Sequence, residues 1–313
     1  MAEANHPMLR GTAIALALVL PSAGVGQVRP RPPTFGTGVE AIQLQVSVTD
    51  RRSAYVTGLS EADFAVFEDG VRQELAYFTR DPLPLTVSLL VDCSASMQEN
   101  LSVAQEAGSR FIRALGPEDM GQVVQFSDRV TPLLDFTNDR RALESAIRST
   151  RAAGPTVLYN ALYVTLKELR RHGSPEAPRR RAIVLLSDGE DTASLVNDDT
   201  VLELARETEI GVYVISLRPD RSQDRERIAF NQATHFLTTL ARETGGQVYF
   251  PSALSELESV YGRVAEELRT QYTLGYLSSN GRRDGKWRRI QVQTPAREGL
   301  QVRHKVGYYA PRG

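Results

Sequence analysis

The spacing of apolar and polar residues changes twice along the chain. In EAIQLQVSVTD, Ile42, Leu44, Val46 and Val48 alternate with Gln43, Gln45 and Ser47, which predicts a strand with one buried face. DFAVFEDGVRQELAYF follows, with Asp69-Gly70 as its hairpin turn, because glycine accepts the positive φ such turns need. Residues 39–82 therefore form the first part of a β unit, too short for a core of its own.

Past DPLPL (Asp81–Leu85) the period changes. LTVSLLVD (Leu85–Asp92), GQVVQFS (Gly121–Ser127), RAIVLLS (Arg181–Ser187) and GVYVISL (Gly211–Leu217) are short apolar runs, the pattern of strands buried on both faces. VTPLLDF is an edge candidate, since Pro132 cannot donate to a ladder. Between these runs lie stripes at helical spacing: Ala104, Ala107, Phe111 and Leu115; Leu143 and Ile147; Leu158, Leu162, Leu166 and Leu169. DTVLELARETE is a further helix, RPDRSQDRERIAFNQATH (Arg218–His235) an exposed insertion, and FLTTLARETGGQVYF a short helix with a last strand. LSELESVYGRVAEELRT closes the series as an amphipathic helix. Strands alternating with helices predict a doubly wound, mostly parallel sheet with helices on both faces over 83–270.

From Gln271 the pattern is β again, with QYTLGYLSS, KWRRIQVQT and, as one last strand, LQVRHKVGYYAP. Neither flank alone has enough strands to bury a face. The expected fold class is therefore α/β, Rossmann-like, with a small all-β sandwich-like domain built from 39–82 and 271–313.

The N-terminus has the order of an export signal. Arg10 precedes the apolar run Ala13–Leu20, followed by Pro21 and small residues. The run is shorter than the about 20 apolar residues a membrane span needs. It fits a signal peptide over 1–26, cleaved near Ala23 or Gly26, then a Pro/Gly-rich linker over 27–38. The expectation is an exported protein, periplasmic, secreted or at the cell surface, with no transmembrane segment in the mature chain.

Composition narrows the function. Lys+Arg is 37 and Asp+Glu 38, a net charge of -1, which argues against nucleic acid as a partner because that requires a basic surface. The basic runs PRRRA and GRRDGKWRR are taken as solvated. Cys93 is the single cysteine, so no intrachain disulfide forms; a thiolate ligand or nucleophile is weighed against a small core filler, and the filler is adopted.

In open α/β sheets ligands bind beyond the carboxyl ends of strands, where strand order reverses. Three loops supply polar residues there. Asp92, Ser94 and Ser96 alternate in VDCSASM; Asp188 follows the apolar run in LLSDGED; Thr156 precedes the strong helix in AAGPTVLYNAL, where its alternative is a plain N-cap. Carboxylate and hydroxyl oxygens are hard donors that suit Mg²⁺ or Mn²⁺. Glu190 and Asp191 could support the metal ligands or cap the next helix, and are read as a solvated loop; Asp198 and Asp199 are read as N-caps.

These motifs resemble the von Willebrand factor type A domains, whose metal-ion-dependent adhesion site has Asp-x-Ser-x-Ser after the first strand, a loop threonine and an aspartate after a central strand. DCSAS, GPT and SDG match those positions, and the likeness runs from about Leu83 to Thr270. The flanking β segments and export signal look like bacterial exported proteins described as having a related type A domain. The resemblance implies that Ser94, Ser96 and Thr156 coordinate the ion, with Asp92 and Asp188 doing so directly or through water. It implies an adhesion or protein-binding module in which a partner's Asp or Glu completes the metal shell. One departure is Pro155, where the family usually has a second glycine; proline stiffens the loop. Two other readings stay open: a structural or scaffold domain with no exchangeable ligand, and a metal-dependent hydrolase. Against the enzyme, His172, His235 and His304 follow no central strand, and no G-x-S-x-G elbow occurs.

Overall fold

The computed structural model describes residues 1, 41–172, 178–187, 191–217 and 232–313. The expected signal peptide and linker, Asp188, Glu190 and most of the expected insertion lie outside the described residues. All strands and helices fall within one unit, Pro32–Gly313.

Four strands precede the α/β part: β1 (Ala41–Thr49), β2 (Ala65–Glu68), β3 (Val71–Gln73) and β4 (Leu75–Thr79). The β2–β3 turn is built as expected, with Asp69 at φ 48 and Gly70 at φ 83. There follow β5 (Leu85–Asp92), α1 (Leu101–Ala114), β6 (Met120–Phe126), β7 (Val130–Thr137), α2 (Arg140–Ser149) and α3 (Leu158–Arg171). Then come β8 (Arg180–Ser187), α4 (Asp198–Arg206), β9 (Ile210–Ser216), α5 (Gln232–Thr244), β10 (Val248–Tyr249) and α6 (Leu257–Thr270). The chain closes with β11 (Tyr272–Leu277), β12 (Trp287–Gln293), β13 (Gln301–Arg303) and β14 (Gly307–Tyr309).

The central sheet has the order β10-β9-β8-β5-β6-β7. All its pairs are parallel except β6–β7, which places the Pro132 strand antiparallel at the edge. Strand alternation sorts the apolar residues between two cores. Val87, Leu89 and Val91 pack with α1, α2 and α6 on one face, and Leu90 with α3, α4 and α5 on the other. That two-sided burial is why β5 carries an apolar run rather than an alternating pattern.

The flanks form two four-stranded sheets, β13-β1-β11-β4 and β14-β12-β2-β3, around a core that includes Leu44, Val46, Val66, Tyr272, Leu274 and Ile290. Thr79 of β4 pairs with Thr273 of β11. The chain thus leaves the β part and returns to it at neighbouring strands, which is how the α/β part is accommodated as an insertion. The single strand expected over LQVRHKVGYYAP is instead two, β13 pairing with β1 and β14 with β12. His304 stands at the switch, its Nε2 accepting the Val292 N–H at 3.0 Å. The expected insertion is shorter than its polarity implied, because α5 begins at Gln232.

The α/β and β parts meet at a buried carboxylate. Glu267 of α6 is fully buried. Its Oε1 accepts from Ser47 Oγ at 2.8 Å and Tyr213 OH at 3.0 Å, and its Oε2 from Tyr55 OH at 2.9 Å. Arg303 supplies the opposite charge. A buried ion is tolerated when its lone pairs are satisfied and a counter-ion is present, and Glu267 has both.

Candidate metal centre

β5 lies between β8 and β6, so its carboxyl end is the point where successive connections diverge. Asp92 ends that strand and is fully buried. Its Oδ1 accepts the Ser94 N–H at 2.9 Å, a tight local turn, and its Oδ2 accepts the Ser187 hydroxyl at 2.6 Å from the end of β8. The turn brings Ser94 Oγ and Ser96 Oγ to 3.0 Å of each other. Ser94 is buried, while Ser96 is exposed.

The Thr156 loop is tied to this turn through the backbone. Ala95 N–H donates to Gly154 C=O at 3.0 Å, and Ala153 N–H to Cys93 C=O at 2.8 Å. Gly154 has φ +79, a conformation that favours glycine. On the other side Val157 N–H donates to Ser127 C=O at 2.9 Å, anchoring the loop to the end of β6. Thr156 is buried between these ties. Val157, rather than Thr156, occupies the N-cap position of α3, so the plain-cap alternative for Thr156 does not describe this helix.

Asp92, Ser94, Ser96 and Thr156 are thereby placed on two loops that bond to each other. Asp188 lies outside the described residues. Asp92, Ser94 and Thr156 are buried, while Ser96, Gly154 and Pro155 on the same two loops are exposed. Among the described residues no three His, Cys, Asp or Glu side chains gather in one place. The donors here are hydroxyls and one carboxylate, all hard oxygens, which fit Mg²⁺ or Mn²⁺ better than a soft metal. Cys93 is fully buried in the core; burial first, then the charge of Asp92, pushes its thiol up to about 12. It is a core filler and not a thiolate.

Two supporting residues carried no signal of their own. Ser187 was visible only as the residue before Asp188. Thr192 accepts the Thr156 N–H on its Oγ1 at 2.9 Å and returns its own N–H to Thr156 C=O at 2.9 Å. Asp191 is not a plain solvated loop residue: its Oδ1 accepts the Tyr159 N–H at 3.1 Å and the Ser194 hydroxyl at 2.6 Å. It therefore satisfies one of the unpaired N–H groups that open α3. For α4 the cap is Asn197, accepting from Thr200 N–H at 3.0 Å. Asp198 and Asp199 sit instead in its first turn, where carboxylates complement the helix dipole.

The fold and these loops define a doubly wound α/β domain with polar groups gathered at its switch point. Residues 87–190 match the sequence profile of the von Willebrand factor type A domain. A UPF0353 protein of Nocardia farcinica is 28% identical over 220 residues, covering 61% of this chain and 65% of that protein. A UPF0353 protein of Mycobacterium leprae is 24% identical over 226 residues, covering 66% and 65% respectively. The alignments thus span less than two thirds of either relative's length. Among solved structures, a von Willebrand factor type A protein from Catenulispora acidiphila shares the fold with a TM-score of 0.53 at 12% identity, over 88% of this chain and 74% of that one.

Proposed function

We propose that this protein is a metal-dependent binding module. Asp92, Ser94, Ser96, Thr156 and Asp188 would hold a Mg²⁺ or Mn²⁺ ion, and an Asp or Glu of a partner protein would complete its shell. The observation that carries this reading is the pairing of Ser94 Oγ and Ser96 Oγ, 3.0 Å apart, on a turn held by buried Asp92 and bonded to the Thr156 loop, with Ser96, Gly154 and Pro155 exposed. Three of the five groups are neutral hydroxyls and the two carboxylates would act directly or through water, so the set would leave a coordination position that a partner's carboxylate can fill. The ion supplies the attraction for that carboxylate; the chain holds the ion, orients the hydroxyls through the Ala95–Gly154 tie and keeps Ser96 exposed.

A binding role is proposed over a catalytic one. His172 packs against Phe136, with ring centroids 4.4 Å apart, and His304 accepts a backbone N–H. A serine nucleophile needs a base within hydrogen-bond reach, and both of these rings are committed elsewhere. We further propose export to the periplasm, surface or medium, on the strength of the Arg10 and Ala13–Leu20 pattern. Among the described residues no helix is long and apolar enough to cross a membrane.

The test is affinity capture of envelope and secreted proteins with Mg²⁺ or EDTA, comparing wild type with Asp92→Ala. Partners retained only with metal and intact Asp92 are expected. An identical captured set under all conditions would falsify the proposal.

A further inference from the structure

We infer that the partner segment is asymmetric: beside the carboxylate for the Asp92–Thr156 site, it presents a large apolar side chain toward Leu195 and a second acidic residue toward Arg129 and Arg151. This rests on the metal-site reading above and names the kind of ligand that site takes.

The two flanks of the site differ. On the β8 flank, the 191–196 segment is bonded to Thr156 and to the first turn of α3. Leu195 is 95% exposed. A lone exposed leucine is ordinary on a protein surface, but this one is held outward by its backbone. Leu195 N–H and Val196 N–H both donate to Asn160 Oδ1 at 3.1 Å, and Asn160 N–H donates to Ser194 Oγ at 3.1 Å. Asn160 lies about one helical turn past Thr156. Val164, the next residue on the Asn160 stripe, is also exposed. The β8 flank therefore offers one exposed apolar side chain, Leu195, on a backbone already held in place, so covering it costs little ordering entropy.

The β6 flank carries two arginines and one acid. Arg129 stands in the β6–β7 turn, two residues past Ser127, with its side chain 79% exposed beside Asp128 at 3.6 Å, itself 54% exposed. Arg151 is tied to β6 by its N–H to Gln125 Oε1 at 3.3 Å and opens the segment that runs to Gly154. Its guanidinium donates to the backbone carbonyls of Arg148 and Thr150 at 3.0 and 2.8 Å, which leaves its charge for an incoming acid. Complementary rim charge sets orientation and association rate, while the apolar contact slows release. A ligand with an acid on one side of its central carboxylate and an apolar residue on the other matches both flanks at once.

The experiment measures binding of the full chain to fluorescein-labelled nonapeptides with a central Glu. The flanks are Asp on one side and Leu on the other, the reverse order, or Ala on both; binding is followed by anisotropy in Mg²⁺ or EDTA. One order of flanks is expected to bind about tenfold tighter than the Ala-flanked peptide, about 1.4 kcal/mol. Leu195→Ala should remove the gain from the Leu flank. Arg129→Gln with Arg151→Gln should remove the gain from the Asp flank and its salt dependence. If binding needs Mg²⁺ and Asp92 but is equal for all flanks and unchanged in the rim variants, the inference fails and the metal site stands. If binding survives EDTA and Asp92→Ala, the metal-site reading itself fails. If no peptide binds in Mg²⁺, both are overturned.

Discussion

The Ser187 hydroxyl donates to Asp92 Oδ2 at 2.6 Å, across 95 residues of sequence and between the ends of two adjacent parallel strands. It fixes the rotamer of the carboxylate on which the proposed ion site is built. Outer groups of this kind typically change metal affinity by about 10- to 100-fold when removed. Ser187→Ala should therefore weaken Mg²⁺ binding by at least about tenfold and destabilise the fold by about 1–3 kcal/mol, since a buried acceptor loses a donor. Calorimetric Mg²⁺ titration and urea unfolding separate the two effects.

Asp92→Asn keeps the shape of the side chain and removes its charge. A ligand at about 100 times its dissociation constant stabilises the folded state by about 2.7 kcal/mol. Wild type should gain stability of that order in saturating Mg²⁺, and Asp92→Asn should gain none. An equal gain in the variant would place the ion elsewhere.

Glu267 joins the α/β and β parts by accepting from Ser47, Tyr55 and Tyr213 and pairing with Arg303. Glu267→Ala leaves that arginine buried without its carboxylate. Breaking one side of a buried pair costs about 3–5 kcal/mol, so the midpoint of urea unfolding should fall sharply. Removing both partners together, in Glu267→Met with Arg303→Met, should cost less than Glu267→Ala alone. An additive loss in the double variant would contradict the pairing.

His304 is held neutral. Burial first lowers its pKa from 6.5, and its Nε2 accepts a backbone N–H from Val292. A depressed folded pKa means that the unfolded chain takes up the proton first. The contribution to stability is full above 6.5 and is lost as pH falls from there through the lower folded value. His304→Gln, which retains an acceptor, should show a flatter decline of stability on the acid side. Unfolding free energies measured between about pH 7 and pH 4 check the sign.

What the sequence determined by itself is local and periodic. The apolar run Leu85–Asp92 marked a strand buried on two faces, the helical stripes marked α1, α2 and α3, and Asp69-Gly70 marked a hairpin. The Asp92-x-Ser94-x-Ser96 spacing placed three oxygen-bearing side chains at one strand end, because alternation and a tight turn are properties of neighbouring residues. What only the tertiary structure decided are contacts between segments far apart. Ser187 and Thr192 became supports of the site because β8 lies beside β5 and its following loop crosses α3. Asp191 accepted the Tyr159 N–H at the start of α3, and LQVRHKVGYYAP divided between two sheets. Glu267 looked like one more polar position on an amphipathic helix until β1, β9 and β13 closed around it. Period reports which face of an element is buried. It does not report which neighbour covers that face, and a polar group's partner is chosen by that neighbour.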